Sequence, residues 1–320
     1  MFGPVTARDD HPELPAGLTS RPLTLAEARV AYELLAAEQR LELDGRVEIE
    51  EADVVGDWQR PSFDVATRTI GVLDGDRVVG YAELTYDERG EAAVEPSYRG
   101  RGIGTWLAAW MRRTARERGS EIVGMPVPEG SAGDRLLTAL GYHVRWTSWV
   151  LHLPAGARVP ERDLPAGHVV RAARPEEHEV VHDVIEDAFL EWSEREREPM
   201  SEFRATVLER PGFEPWHLRV VVDETGEQPQ VVAVAVVQIF VDEQSGARDA
   251  YIARLATRRD RRGEGLAQAL MVDSFAAARE RGVETAGLNT DSRTGALGLY
   301  LKVGMQVTEN WVHRAAHLNG

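Results

Sequence analysis

The chain has 320 residues, 43% of them hydrophobic and 28% charged, and a formal net charge of −16. That is enough for two domains of about 150 residues, each with its own core. The acidic balance argues against a nucleic-acid partner, which needs clustered Lys and Arg. The absence of cysteine excludes disulfides, thiolate metal sites and a Cys nucleophile. No apolar run approaches the roughly 20 residues of a membrane span, and the longest, 231–241, carries Gln238. Met1-Phe2-Gly3-Pro4 lacks the basic-then-apolar order of a leader, so a cytoplasmic protein with no membrane partner is expected.

In chain order, residues 1–12 read as a loose polar tail. Residues 23–43 carry Leu34, Leu35 and Leu41 at helical spacing. Residues 77–84 alternate as a strand does, and residues 91–95 form a second strand that runs into a glycine-rich turn. Residues 105–118 predict a helix with Leu107 and Met111 on one face and Gly119 as its C-cap. The Pro- and Gly-rich stretch 153–167 is the natural linker. Helices are then expected at 175–192 and 201–209, and strands at 218–223, 230–242 and 249–257. A helix at 266–281, a strand at 285–288, a helix at 294–302 and a strand at 310–313 complete the chain.

The chain repeats itself. Arg99-Gly100-Arg101-Gly102-Ile103-Gly104 returns 163 positions later as Arg262-Gly263-Glu264-Gly265-Leu266-Ala267. The same offset carries Glu117-Arg118-Gly119 onto Glu280-Arg281-Gly282, and Gly141 onto Gly304. So long a period marks duplicated domains rather than solenoid units, with boundaries at 1–157 and 158–320. Each half reads as α/β, with mostly antiparallel strands before the turn and a crossover after it. A strand that ends in Arg-Gly-x-Gly and opens into a helix gathers backbone N–H groups on an anion, and the helix N-terminus adds partial positive charge. No Lys-Ser/Thr follows the glycines, which argues against a nucleotide triphosphatase. No acidic ribose partner follows either, which argues against a dinucleotide-binding dehydrogenase.

The segments 92–104 and 255–267 resemble the central motif of the GNAT acetyltransferase family, Arg/Gln-x-x-Gly-x-Gly/Ala after an apolar strand. The resemblance implies two tandem GNAT-like domains, each a mixed, mostly antiparallel sheet flanked by helices. It implies acetyl-CoA as co-substrate, its diphosphate held by Arg262, Gly263, Glu264, Gly265, Leu266 and Ala267. The pantetheine arm would bond the backbone of Leu255, Ala256 and Thr257. In the first half the corresponding positions are Arg99, Gly100, Arg101, Gly102, Ile103 and Gly104, after Ala92, Ala93 and Val94. Segment 296–305 is similar to the family's closing Ala-x-x-x-Tyr-x-x-x-Gly-Phe, which makes Tyr300 the general acid that protonates the leaving thiolate. Subtracting 163 gives Leu137, which has no proton to donate, so the first half is expected to be non-catalytic.

Acetylation of an amine also needs a base. Alternation along 249–254 puts Asp249, Tyr251 and Ala253 on one face, and Asp249 is the carboxylate in reach. The competing reading makes Asp249 the solvated end of the polar hairpin 242–248. Acceptor choice in the family comes from the first two helices and their loop, here the charged run 191–198, whose default reading is a wet helix face. Trp216 and Trp311 read as core residues or as the floor of an acceptor pocket. His178 and His182 lack the Glu of a His-Glu-x-x-His pair and read as surface residues, so no metal is expected. The tandem plan also resembles actinobacterial enzymes of the mycothiol synthase kind. The acidic residue of their motif strand falls at Tyr251 here, and Asp291-Ser292-Arg293 lacks the Asn of their closing motif, so a different acceptor is expected. The expected reaction is direct acetyl transfer to a primary amine of a small molecule in the second half. The alternatives are a non-catalytic acyl-CoA-binding regulator and a protein N-acetyltransferase. The duplication itself makes a pseudo-dimer, so a monomer or a homodimer is expected.

Overall fold

The computed structural model describes residues 12–318 apart from residues 155, 194, 242–245, 247 and 284. Residues 242–245 and 247 of the hairpin that the competing reading of Asp249 invokes, the terminal tail up to residue 11 and Glu194 of the charged run therefore lie outside the described residues. The first elements are β1 (Leu18–Arg21), α1 (Ala28–Glu42), α2 (Glu51–Trp58), α3 (Val65–Arg68), β2 (Thr69–Asp74), β3 (Arg77–Thr85) and β4 (Arg89–Val94). Then come α4 (Ile103–Glu117), β5 (Ile122–Pro128), α5 (Ala132–Ala139), β6 (His143–His152), β7 (His168–Ala172), α6 (His178–Phe189) and α7 (Met200–Phe203). The remainder is β8 (Leu218–Asp223), β9 (Gln230–Val241), β10 (Arg248–Thr257), α8 (Leu266–Arg279), β11 (Thr285–Asp291), α9 (Leu297–Lys302) and β12 (Gln306–His317). The expected helix at 201–209 is α7 continued by a π-turn over Arg204–Leu208.

Two compact units divide the chain. One holds residues up to Val54, Phe63–Thr147 and the chain from Trp311 onward; the other holds Val55–Ser62 and Ser148–Asn310. Both are sheets flanked by helices, mostly antiparallel. In the first unit the strand order is β1-β2-β3-β4-β5-β12, closed by Trp311–His317 pairing antiparallel with β5. In the second it is β6-β11-β10-β9-β8-β7, with Ser148–His152 of β6 antiparallel to β11. The final strand of the chain thus belongs to the unit built mainly from its first half.

Apolar periodicity explains the layers. Helix α4 buries Ile103, Leu107 and Met111 against Val72, Val79 and Ala82 of the first sheet. Each such side chain contributes about 1.5–3 kcal/mol relative to exposure. In the second unit α8 buries Leu266, Leu270 and Phe275 against Val221, Ala233 and Ile252. Helix α6 packs Val181, Val184 and Ile185 against Val220, Val222 and Val234. His182 lies on that same apolar stripe and is 5% exposed, ringed by Phe203 at 5.4 Å. The reading of His182 as a surface residue is thereby corrected: its place beside Val181 and Ile185 on α6 decides its burial.

Candidate active site

Strands β10 and β11 pair in parallel only from Asp249↔Thr285 to Ile252↔Leu288. The ladder between β10 and β9 slips between Ile252 and Arg254, a bulge that bends the strand. Beyond it residues 254–257 keep β9 as partner on one edge. Their other edge has no ladder partner among the described residues, so its backbone groups are open to a ligand. A cavity of about 660 Å³ occupies this wedge, walled by Ala253, Leu255, Ala256 and Thr257 on one strand and Leu288, Asn289, Thr290 and Asp291 on the other.

The glycine turn closes one end of the cavity. Gly263 and Gly265 have φ of +83° and +85°, the left-handed region that L side chains rarely adopt. Gly265 is the N-cap of α8, so the free N–H groups of the helix's first turn begin at the glycines. Arg262, Gly263, Gly265, Leu266 and Ala267 border the cavity. Glu264 does not: its carboxylate accepts from Arg261 Nε at 2.9 Å and Nη2 at 3.1 Å. Arg262 donates through both Nη atoms to Glu191, at 2.9 and 2.7 Å.

Tyr300, on α9, is 7% exposed and borders the same cavity. Burial pushes its phenol up to about 12, so the ring stays protonated across the neutral range. Its hydroxyl has no hydrogen-bond partner among the described residues.

Asp249 is elsewhere. It does not border the cavity but lies near the start of β10, where Oδ2 faces His152 Nε2 at 3.2 Å. His152 Nδ1 in turn meets Thr308 Oγ1 at 3.0 Å. Asp249 Oδ1 is buried without a hydrogen-bond partner among the described residues. The contact is made across Gly287, where an added Cβ would stand 2.7 Å from the imidazole and 3.3 Å from Oδ2. Pairing places Asp249, Gly287, Asn289 and Asp291 on one face with Ser148 and His152. Of these, Ser148, Asn289 and Asp291 reach the cavity.

The described residues of the charged run, 191–193 and 195–198, form a loop and not a wet helix face, because α6 ends at Phe189. Arg195 forks onto the buried Glu186 with both bonds at 2.8 Å, and Glu198 N–H donates to the same carboxylate at 2.7 Å. These bonds outweigh burial and hold Glu186 below the usual carboxylate range. The fold-back delivers Glu191 and Trp192 to the cavity mouth, where Arg293 stacks over the Trp192 ring at 4.8 Å. Neither Trp216 nor Trp311 lines the cavity; Trp216 is core, under Arg281 at 4.4 Å.

The first unit repeats the frame. Gly100 and Gly102 have φ of +75° and +91°. A cavity of about 450 Å³ is lined by Ala92, Ala93, Val94, Arg99, Gly100, Gly102, Ile103 and Gly104. Arg101 stands outside it, over the Tyr98 ring at 4.5 Å. Tyr142 N–H bonds Leu137 O at 3.0 Å, and Met305 N–H bonds Tyr300 O at 3.1 Å, the same rung 163 residues apart. Leu137, 2% exposed and lining this cavity, is therefore the structural counterpart of Tyr300.

A family model described as "Acetyltransferase (GNAT) family" matches residues 31–137 and again 179–305. The chain belongs to the GNAT acetyltransferase family. A mycothiol acetyltransferase of Salinispora arenicola is 29% identical over 276 residues, 78% of this chain and 80% of that protein. One from Nocardia farcinica is 26% identical over 240 residues, 72% of this chain and 76% of that protein. Among solved structures, a GCN5-related N-acetyltransferase from Sphaerobacter thermophilus has a TM-score of 0.72 at 24% identity, covering 96% of this chain and 98% of its own. A tandem GNAT protein from the clavulanic acid biosynthesis pathway has a TM-score of 0.68 at 17% identity, covering 95% and 99%. As a GNAT protein this chain is an acyltransferase with acetyl-CoA as co-substrate. Among the described residues no helix is long and apolar enough to cross a membrane.

Sequence reasoning missed His152, Ser148 and Arg162. His152 and Ser148 sit on the first repeat's last strand, which no local pattern assigns to the second unit. For Arg162 a signal existed: Leu164-Pro165-Ala166-Gly167 repeats Leu14-Pro15-Ala16-Gly17, which places Pro12 opposite Arg162.

Proposed function

We propose that the second unit moves an acetyl group from acetyl-CoA directly to a primary amine of a small molecule. One observation carries the reading: an unpartnered, buried phenol lines the cavity that also holds the left-handed glycine turn and the open edge of β10. The turn's N–H groups receive the diphosphate, and residues 254–257 receive the pantetheine arm by strand-like bonds. A backbone N–H near the bulge polarises the thioester carbonyl as the amine attacks. Tyr300 then gives its proton to the departing thiolate, whose conjugate acid has a pKa near 8.5. No cysteine is present to carry the acetyl group, which supports transfer in a ternary complex.

Asp249, held by His152, takes the amine's proton through solvent along the face shared with Asn289 and Ser148. The acceptor enters past Trp192, Asn289 and Thr290, where Glu191 and Asp291 are neutralised by Arg262 and Arg293. The cavity volume lies in the range of small-molecule sites, about 300–1,000 Å³. The first unit, with Leu137 in place of the phenol, is assigned a structural or CoA-binding role.

The test is a screen of amino sugars, amino-acid amides and polyamines with acetyl-CoA, read by thiol release and product mass. Amine-dependent thiol release that Tyr300→Phe suppresses supports the reading. A wild type that acetylates only protein substrates contradicts the small-molecule acceptor.

A further inference from the structure

The segment between β6 and β7 is anchored rather than loose. Leu153 and Val159 belong to the core of the second unit, and Leu164 packs against it. Gln268 in the first turn of α8 donates to Pro160 O at 2.6 Å. Two residues further on, Arg162 lies over the glycine turn: a Cβ built on Gly265 would fall 2.9 Å from its Cζ. Arg162 also borders the cavity.

The two arginines that precede Gly263 are engaged. Arg261 is tied to Asp223 and Glu264, and Arg262 to Glu191. Among the described residues Arg162 has no carboxylate partner. A cation is thus held against an anion-binding turn by a pinned strap, with its charge uncommitted. In the first unit the matching neighbour of Gly102 is the Pro15 ring at 3.8 Å, which carries no charge.

We propose that Arg162 grips the diphosphate of acyl-CoA in the second unit, adding a guanidinium fork to the backbone N–H groups of the turn. The proposal rests on the reading that acetyl-CoA binds there. It makes the linker part of the binding site.

The experiment is calorimetric titration of the full chain, following the site that Gly265→Asp abolishes. Wild type, Arg162→Ala, Arg162→Lys and the strap control Arg158→Ala are each titrated with acetyl-CoA, dephospho-CoA and S-acetylpantetheine. Dephospho-CoA lacks the ribose phosphate but keeps the diphosphate; S-acetylpantetheine has neither. Arg162→Ala is expected to weaken acetyl-CoA and dephospho-CoA alike by about tenfold or more, with Arg162→Lys weaker in effect. Arg158→Ala, and every variant with S-acetylpantetheine, should match wild type. Arg162→Ala binding within about twofold of wild type overturns the proposal and leaves the CoA site standing. A loss that disappears with dephospho-CoA also overturns it, by moving the contact to the ribose phosphate. A wild type with no acetyl-CoA site at the second turn sinks the underlying reading instead.

Discussion

In the first repeat the glycine turn faces a proline ring and a leucine; in the second it faces a guanidinium and a phenol. The backbones are otherwise alike, down to the left-handed glycines and the matching hydrogen bonds 163 residues apart. The fold therefore preserves the left-handed glycine turn without preserving the side chains around it. Glycine φ values and an open strand edge are properties of the backbone, whereas proton transfer and charge pairing depend on single side chains that substitution removes at little cost to packing. Leu137 fills its site as a core residue does.

The sharpest way to break this comparison is to spoil each turn separately. Gly265→Asp would put a carboxylate at the proposed diphosphate site, at a φ that side chains resist, and should lower kcat/KM by at least about a hundredfold. Gly102→Asp should leave turnover within about twofold. Steady-state kinetics on both variants checks this.

Next is the phenol. Tyr300→Phe should cut kcat by about a hundredfold, within the range of a lost general acid, with little change in KM for acetyl-CoA. Leu137→Tyr should restore nothing. Equal loss in kcat/KM through KM alone would show Tyr300 to be a packing residue.

Asp249→Asn should lower kcat by about tenfold to a hundredfold near neutral pH. The deficit should narrow as pH rises toward the amine's own pKa, because the acceptor then arrives deprotonated. A pH–rate profile for Asp249→Asn and His152→Gln tests this; a deficit constant with pH would remove Asp249 from proton transfer.

The smallest effect concerns stability of the first unit. Burial pushes the Glu38 carboxyl up to about 7, against the pull of Arg99 at 3.5 Å. The folded state then holds a proton that the unfolded chain releases, so stability falls as pH rises from about 4.5 through 7. Glu38 is 23% exposed, which limits the effect to the order of 1 kcal/mol. Glu38→Gln should raise the melting temperature by about 2–4 °C near pH 8 and leave it unchanged near pH 5. Thermal melts at the two pH values decide it.

Much of this was legible because it is local. Paired glycines before an apolar helix, the 163-residue repeat and the leucine opposite Tyr300 can all be read along the chain. What was not legible depends on pairing between distant segments. Nothing near Trp311 says that its strand joins β5, nor near His152 that its ring meets Asp249, since alternation marks a strand's faces but not its neighbours. The loop at Glu191 was misread for a related reason. Its charges look solvated until Glu186 and Arg195 are seen to pair behind it.

The most direct measurement of the central claim is thiol release from acetyl-CoA, with a primary-amine panel, by wild type, Gly102→Asp, Gly265→Asp and Tyr300→Phe. The account predicts amine-dependent release by wild type and Gly102→Asp, and near-background release by the other two. Activity that survives Gly265→Asp and is lost in Gly102→Asp would place the chemistry in the first unit and contradict it.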